Sequence, residues 1–238
     1  MEKVTIGNCT LYRADCAEVL PHLPPVAALV TDPPYELAAK GCGLAGDRQH
    51  LKDIAALGID KGFDDAMLDG FQNWVCFCSR KQLLKIMQRA EKRKWMLITW
   101  NKTTPAPLVN NNYLPDAEYI VHCYSEGRLF GGYQDKSRFY VSPGMNANEK
   151  YGHPTAKPLA LMIKLLRLCS QPGDVILDPF MGSGTTGVAC VKQQRHFIGI
   201  EVNPHHFESA CKRIEAANSQ PDMFVTPIPP QHQQAMAL

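Results

Sequence analysis

The apolar run from Val26 to Val30 stops at two prolines, and this junction is the strongest local constraint on the fold. A short apolar run of this kind is typical of a buried strand. Proline has a fixed φ and no N–H, and it keeps the residue before it out of helical geometry. Pro33 and Pro34 must therefore end the strand, and the chain leaves the predicted sheet in a stiff, extended turn.

Further strand patterns recur along the chain and alternate with helical patterns. Strands are predicted at residues 10–13, 74–78, 95–100, 117–124, 175–177 and 196–202, and helices at 16–20, 81–92, 158–169, 187–190 and 205–217. Val4 and Ile6 precede a Gly7-Asn8 turn, which predicts a small β-ribbon at the N-terminus. Strands that alternate with helices predict an α/β fold with a mainly parallel sheet.

The length of 238 residues and the 45% hydrophobic content allow one sizeable core. We predict a single domain from residue 1 to 217. It carries a glycine-rich mobile loop at about 36–65 and an irregular insertion at about 125–152. The tail from 218 to 238 is rich in Pro and Gln, a composition typical of disorder.

The composition also bears on location and on metals. No run approaches the length of a membrane span, and no basic and apolar leader opens the chain. The nine cysteines include no C-x2-C pair, so the sequence predicts reduced thiols in a cytoplasmic protein and no metal site. A net charge of +2 says little about partners.

The turn itself carries groups with chemical potential. Asp32 supplies a carboxylate, Pro33 and Pro34 supply rigid carbonyl acceptors, and Tyr35 supplies an aromatic face. Together these groups can hold a planar molecule that bears an NH2 group. On these four residues alone, a strand-ending turn with a solvated Asp and a half-buried Tyr fits better.

A second motif runs from Asp178 to Gly187, where a glycine-rich turn follows a strand and opens a helix. In such a turn the backbone can approach a ligand, and the helix N-terminus adds positive potential. The loop has no lysine before Thr185, which argues against an ATPase or GTPase. Its spacing formally fits a dinucleotide site, and it fits a plain strand-to-helix turn equally well. Glu201 ends the next predicted strand, where a carboxylate can accept from both ribose hydroxyls.

Taken together, Asp32-Pro-Pro-Tyr35 and Asp178-Pro-Phe-Met-Gly-Ser-Gly-Thr-Thr186 resemble the amino-methyltransferases that methylate exocyclic amines of DNA bases with S-adenosylmethionine. Four further matches are Asp15-Cys16, Trp100-x-Lys102, the segment from His153 to Pro158, and the segment from Ile198 to Glu201. The catalytic motif precedes the cofactor motif, as in the β-type, circularly permuted members. The resemblance implies a Rossmann-like methyltransferase fold with helices on both faces of a seven-stranded sheet, in which one strand is antiparallel.

The resemblance also implies roles for individual residues. Asp32 and the Pro33 carbonyl would accept from the amine, Pro34 completes the turn, and Tyr35 would stack on the base. Cofactor-binding roles are implied for Asp15, Cys16, Thr155, Lys157, Asp178, Phe180, Gly182, Ser183, Gly184, Thr185, Glu201 and Asn203. For Asp15 a helix N-cap is an equally good interpretation, and for Lys157 a solvated lysine at a helix start is.

The target base and its recognition follow from the same resemblance. An acidic first residue at Asp32 favours adenine N6, with cytosine N4 or an RNA amine as the alternatives and a silent nucleotide-binding module as a distant one. A base in a duplex must be flipped to reach such a site. The candidate DNA readers are Arg128, Lys136, Arg138 and Asn146, which lie in a small region of about 125–152. So small a region predicts a short or relaxed recognition sequence, and it leaves the oligomeric state open.

Overall fold

Nine strands form one continuous sheet within the described residues of the computed structural model, which are 1–35, 62–105, 113–144 and 157–219. The strands are β1 (Glu2–Ile6), β2 (Cys9–Arg13), β3 (Ala28–Thr31), β4 (Trp74–Cys78), β5 (Lys94–Lys102), β6 (Ala117–Tyr124), β7 (Phe139–Ser142), β8 (Val175–Asp178) and β9 (His196–Glu201). Their order across the sheet is β1-β2-β9-β8-β3-β4-β6-β5-β7. The mainly parallel α/β sheet is confirmed.

The sheet contains both parallel and antiparallel pairs of strands. β6 runs antiparallel to both of its neighbours, β4 and β5, and β1 runs antiparallel to β2. The remaining neighbouring pairs are parallel. The carboxyl ends of the parallel strands therefore meet at one edge of the sheet, here called the carboxyl edge. Their amino ends form the opposite amino edge.

The predicted count of seven strands is too low by two. β1 is the expected first arm of the N-terminal ribbon, which was not included among the seven predicted strands. It pairs with β2 in antiparallel, as expected for a β-ribbon. β7 lies inside the insertion that was predicted to be irregular, where it pairs in parallel with β5. Its four residues alternate between exposed and half-buried positions, and none of them is fully buried. The strand therefore depends mainly on its hydrogen bonds to β5 and little on the burial of its own side chains.

Five helices pack on the two faces of the sheet, as predicted. They are α1 (Cys16–Val19), α2 (Leu83–Ala90), α3 (Leu159–Cys169), α4 (Thr185–Lys192) and α5 (Pro204–Ser219), within the described ranges. The side chains of α3, α4 and α5 share one core with Val30, Phe77 and Trp100. Those of α1 and α2 share a second core on the other face with Leu29, Trp74 and Ile200.

The helix boundaries differ from the predicted ones by a few residues. α2 begins two residues later than expected, because Ser79 first caps a separate turn in which its Oγ donates to Gln82 Oε1 at 2.7 Å. α5 continues to Ser219, two residues into the predicted tail. Most of the expected mobile loop, and the tail beyond 219, lie outside the described residues. Among the described helices, none is long and apolar enough to cross a membrane.

Candidate active site

The turn after β3 places Asp32 at the carboxyl edge of the sheet. Oδ2 of Asp32 contacts Nζ of Lys157, which precedes α3 by two residues and is 5% exposed. Oδ1 of Asp32 is buried, and it has no hydrogen-bond partner among the described residues. The two oxygens of one carboxylate thus differ. One is held by an ammonium group, and the other is left as an acceptor.

Glu118 at the start of β6 extends this contact into a charge cluster. Its Oε2 lies 3.4 Å from Lys157 Nζ, and its Oε1 lies 2.6 Å from Lys102 Nζ at the end of β5. The hydroxyl of Tyr35 donates to the same Oε2 at 3.4 Å. Lys157 Nζ also lies 5.5 Å from the centre of the Tyr35 ring, within the range of a cation–π contact. Four separate segments therefore meet here: the turn with Asp32 and Tyr35, β5 with Lys102, β6 with Glu118, and the start of α3 with Lys157.

Burial and the nearest opposite charges have opposite effects on the pKa values of the groups in this cluster. Burial raises the pKa of Asp32, and Glu118 adds to the rise, while Lys157 opposes it. Burial alone would raise the pKa of Glu118, but Lys157 and Lys102 together lower it. Burial alone would lower the pKa of Lys157, but Asp32 and Glu118 together raise it. For each of these three groups, burial and the nearest opposite charge therefore shift the pKa in opposite directions.

The carbonyls of the turn are not equivalent either. The Pro34 carbonyl accepts from Nε2 of Gln82 at 2.9 Å. The amide of Gln82 cannot turn over, because the N–H and Oγ–H of Ser79 both donate to its Oε1, at 3.1 and 2.7 Å. The Pro34 carbonyl is therefore used within the protein, whereas Asp32 Oδ1 has no partner among the described residues. The role of the Pro33 carbonyl as an acceptor stays a prediction.

The glycine-rich loop after β8 is organised by Asp178. Its Oδ1 accepts from Thr31 Oγ1 at 2.9 Å and from the N–H of Phe180 at 3.2 Å, and its Oδ2 accepts from Thr186 Oγ1 at 2.6 Å. Burial raises the pKa of Asp178 to about 7, although these three donors lower it. Because Thr31 ends β3, Asp178 connects the strand before the Asp32 turn to the start of α4.

The loop then approaches α5 closely. Gly184 has a φ of +79°, and a Cβ placed on it would lie 2.8 Å from Cβ of Ala210. Arg213 of α5 donates from Nη1 to the Ser183 carbonyl at 2.5 Å, to Ser183 Oγ at 2.9 Å and to Thr185 Oγ1 at 3.2 Å. These contacts fix the backbone of the loop against a single helix.

Glu201 at the end of β9 supports the same loop. Its Oε2 accepts from the N–H of Gly182 at 3.0 Å, and its Oε1 accepts from the N–H of Asn203 at 2.8 Å. Burial raises the pKa of Glu201. Asn203 in turn accepts from the N–H groups of His205 and His206 at the start of α5, at 2.9 and 3.2 Å. The predicted ribose-binding carboxylate thus lies beside the glycine-rich loop.

Asp15 and Cys16, which follow β2, lie on this side of the carboxyl edge. Asp15 is exposed and caps α1, accepting from the N–H of Ala17 at 2.9 Å, which is the alternative that the sequence left open. Cys16 is half-buried, and burial raises its pKa to about 11. On the other side of the loop, the rings of Phe180 and Phe63 meet edge to face with centres 5.7 Å apart. The cofactor roles of Asp15, Cys16 and Phe180 stay predictions.

The proposed DNA readers lie elsewhere. Because β6 runs antiparallel, it ends at the amino edge, and Arg128 and Lys136 follow it there. The segment is fixed to the far end of α3, since the N–H of Phe130 donates to the Leu168 carbonyl at 2.9 Å. Arg138 follows this segment and is placed beside the middle of β5, where its carbonyl accepts from Thr99 at 2.9 Å. The structure does not bring these three basic side chains to Asp32. Thr155 and Asn146 lie outside the described residues.

Several functional candidates were missed at the sequence level. Gln82 stands three residues after Ser79, which is the spacing of a capping box, and this signal was available. Glu118 is an acidic residue at the start of an otherwise apolar strand, a weaker signal. Arg213 and Phe63 carried no local signal, because their partners are distant in the sequence.

Comparisons with known proteins identify the family. A family model of N6 and N4 methyltransferases, described as DNA methylase, matches residues 26–212. The chain belongs to this family of DNA methylases. Its substrate is therefore DNA, and its cofactor is S-adenosylmethionine.

Individual relatives agree with this assignment. The methylase is 26% identical to the Type II methyltransferase M2.MboI of Moraxella bovis over 242 residues, which cover 87% of each chain. It is 42% identical to the DNA adenine methyltransferase YhdJ of Escherichia coli strain K12 over 71 residues, which are 30% of this chain and 24% of YhdJ. The crystal structure of the M1.HpyAVI–SAM complex matches with 29% identity and a TM-score of 0.66, covering 87% of this chain and 98% of that one.

Proposed function

We propose that this methylase transfers a methyl group from S-adenosylmethionine to the exocyclic N6 amine of adenine in DNA. The observation that carries the proposal is the buried Oδ1 of Asp32, an acceptor without a hydrogen-bond partner among the described residues. An unpaired buried acceptor is costly, so its retention at the carboxyl edge supports a ligand that donates to it. The acidic Asp32 and the similarity to an adenine methyltransferase favour adenine over cytosine.

The residues at the carboxyl edge fit the cofactor. The loop from Asp178 to Thr185 follows a strand and opens a helix, and Glu201 lies beside it with its carboxylate at the end of β9. Asp178, Phe180, Gly182, Ser183 and Gly184 would hold the methionine side, and Glu201 would hold the ribose. When bound, S-adenosylmethionine supplies a methyl group on a positively charged sulfur, which needs no covalent enzyme intermediate.

The residues of the turn act on the amine. The nitrogen lone pair of an aromatic amine is delocalised into the ring, which makes the nitrogen a poor nucleophile. Acceptance of its two hydrogens by Asp32 Oδ1 and the Pro33 carbonyl localises the lone pair and orients it. Asp32 can hold the released proton at Oδ1, because burial raises its pKa towards the range in which it can accept one. The Tyr35 ring would stack on a flipped base.

Methylated nucleosides identify the substrate directly. The protein is incubated with isotope-labelled S-adenosylmethionine and with unmethylated duplex DNA, and in parallel with RNA. The digested products are separated and identified by mass spectrometry. We expect label in N6-methyl-2′-deoxyadenosine from DNA. Label in N4-methylcytosine, label only from RNA, or no transfer would contradict the proposal.

A substitution at the turn tests the role of its carboxylate. Asp32→Ala should lower kcat by about 100-fold or more, because an acceptor that orients the amine and takes its proton is lost. Binding of S-adenosylhomocysteine, measured by calorimetry, should change by less than about threefold, since Asp32 lies outside the glycine-rich loop. Asp69→Ala is the control, because Asp69 lies in the segment before β4, where its Oδ2 pairs with Nη1 of Arg89 at 2.8 Å. Full activity of Asp32→Ala would refute the mechanism.

The proposal also covers location. Eight described cysteines are free thiols, six of them buried, which supports a reducing compartment such as the cytoplasm. Fractionation of cells that express the chain should recover it with cytoplasmic markers.

A further inference from the structure

Four charged side chains alternate in sign across the catalytic turn. Lys157 contacts Asp32 on one side and Glu118 at 3.4 Å on the other, and Glu118 contacts Lys102 at 2.6 Å. Glu118 is 19% exposed at its side chain, and Lys157 is 5% exposed. Charges this far from water are costly unless they are paired, so each member depends on its neighbours.

We propose that Glu118 is a positioning residue for methyl transfer, which acts through Lys157 and Tyr35 and leaves Asp32 Oδ1 open to the substrate amine. The proposal rests on the proposed function and adds to it a residue that touches no reacting atom. It follows from the geometry around Asp32. Lys157 carries a flexible stem and three donors, so nothing in its own chemistry restricts it to one oxygen of Asp32.

Glu118 supplies that restriction. Its Oε2 lies 3.4 Å from Lys157 Nζ and accepts from the Tyr35 hydroxyl at 3.4 Å, which draws both groups towards β6. Lys157 therefore meets Asp32 at Oδ2 only, and Oδ1 stays without a partner among the described residues. Without the carboxylate of Glu118, the ammonium is free to bridge both oxygens of Asp32 and to occupy the position that the amine needs.

Glu118 also balances the charge of the cluster. Asp32 and Glu118 contribute two negative charges, and Lys157 and Lys102 contribute two positive ones. Neutralising Glu118 leaves one excess positive charge beside Asp32. This excess lowers the pKa of Asp32, because Glu118 raises it in the intact protein, and it lowers the pKa of Lys157 for the same reason. Neutralising Lys102 has the opposite effect on both groups.

The described groups that face Glu118 and Asp32 come from every element packed around them. They are Asp32 and Tyr35 of the turn, Cys76 and Cys78 of β4, Lys102 of β5, Lys157 before α3, and Asp178 of β8. Burial raises the pKa of Cys78 to about 12 and raises that of Tyr35, so both stay neutral in the working range. The acidic and basic limbs of a profile of kcat against pH should therefore reflect mainly the ionisation of Asp32 and Lys157. Asp178 is the other described group in this set that could contribute to a limb.

The same pair of strands offers a matched control. Lys94 and Glu126 form an ion pair at the other end of β5 and β6, with an N–O distance of 3.1 Å. Their side chains are 58% and 89% exposed, and they lie at the amino edge. Glu126→Gln therefore removes the same chemical group from the same pair of strands, but away from the turn.

The test compares Glu118→Gln, Glu118→Asp, Lys102→Met and Glu126→Gln with the unmodified full chain. For each variant, kcat and KM for DNA are measured from pH 5 to pH 10, together with S-adenosylhomocysteine binding and urea unfolding. Glu118→Gln should lower kcat by about 100-fold, the cost of a misplaced group near the reacting atoms, with KM and ligand binding within about threefold. Both limbs of its kcat profile should move to lower pH.

The other variants complete the prediction. Lys102→Met should move both limbs to higher pH, Glu118→Asp should keep the limbs of the unmodified chain, and Glu126→Gln should alter neither rate nor limbs. A folded Glu118→Gln variant with unchanged kcat and unchanged limbs would overturn the proposal. If that variant does not fold, unmoved limbs in Lys102→Met would overturn it instead. Failure of the unmodified chain to methylate adenine would refute the proposed function separately.

Discussion

The two carboxylate oxygens of Asp32 have different surroundings. Lys157 occupies Oδ2, and Oδ1 is buried without a partner among the described residues. Asp32 pairs with Lys157 in the structure, whereas the resemblance assigns Lys157 to the cofactor's carboxylate. That assignment stays a prediction. The contact with Asp32 explains why a lysine is buried at the start of α3 at all.

Gln82 offers a test of how precisely the turn must be held. Replacing Gln82 with Met keeps a similar volume and removes three hydrogen bonds, the one to the Pro34 carbonyl and the two from Ser79. We expect a loss of about 1–3 kcal/mol in stability from the lost hydrogen bonds. We also expect kcat to fall by about tenfold with little change in KM, because the turn is misplaced but the binding surfaces remain.

Steady-state kinetics and urea unfolding measure both effects of the Gln82 variant. Gln88→Met is the control, since Gln88 is exposed on the same helix. If Gln82→Met lost stability but kept its kcat, Gln82 would be a packing residue only.

At this scale the sequence revealed the groups but not their connections. Asp32, Tyr35, Asp178 and Glu201 were identified because each follows a strand in a local motif. The link from Lys157 to Glu118 could not be found in this way. Ion pairs between segments 39 residues apart depend on which strands are neighbours, and a local pattern carries no such information.

Among the elements, the glycine-rich loop between β8 and α4 has little room for an added Cβ at Gly184. The substitution Gly184→Ala adds a Cβ that would lie 2.8 Å from the Cβ of Ala210. It also forces an alanine into the left-handed backbone conformation of Gly184, with a φ of +79°. We expect the free energy of unfolding to fall by about 2–4 kcal/mol, from backbone strain and overpacking together. Affinity for S-adenosylhomocysteine should fall as well, because the loop must move away from α5.

Gly173→Ala separates these two causes. Gly173 has a φ of +88°, but a Cβ there meets nothing within 4 Å. It should therefore cost about 1 kcal/mol from strain alone and leave ligand binding unchanged. Urea unfolding and calorimetry of both variants provide the measurement. Equal losses in the two proteins would show that contact with Ala210 is unimportant.

Most elements were predictable because their signals are local. Pro33 and Pro34 fixed the end of β3, and Pro158 fixed the start of α3 within one residue. β7 was not predictable, since it is short, borders turn residues and alternates only between exposed and half-buried positions. Its pairing with β5 is a property of the assembled sheet.

For the molecule as a whole, the placement of the segment between β6 and β7 changes the expectation for DNA binding. Arg128 and Lys136 lie at the amino edge, beyond the end of α3 that is remote from Lys157. An eleven-residue helix is about 16 Å long, which separates this segment from the catalytic turn. The double substitution Arg128→Ala and Lys136→Ala should therefore change KM for DNA by less than about twofold at low salt.

Titration of DNA at two salt concentrations tests the double substitution. A tenfold rise in KM, or a clear drop in the salt dependence of binding, would show that DNA reaches the amino edge. With these residues remote from the turn, few described groups remain to read bases. This supports a short recognition sequence, and a modified site of six or more base pairs in sequenced DNA would contradict it.

The remote position of this segment also determines how the enzyme can be handled. Tyr133 is 96% exposed and lies in the segment after β6, on the opposite edge of the sheet from Asp32. A chemical anchor installed at this position would attach every molecule to a glass surface in the same orientation. The catalytic turn would then face the solution, so that single DNA molecules in flow could reach it unhindered.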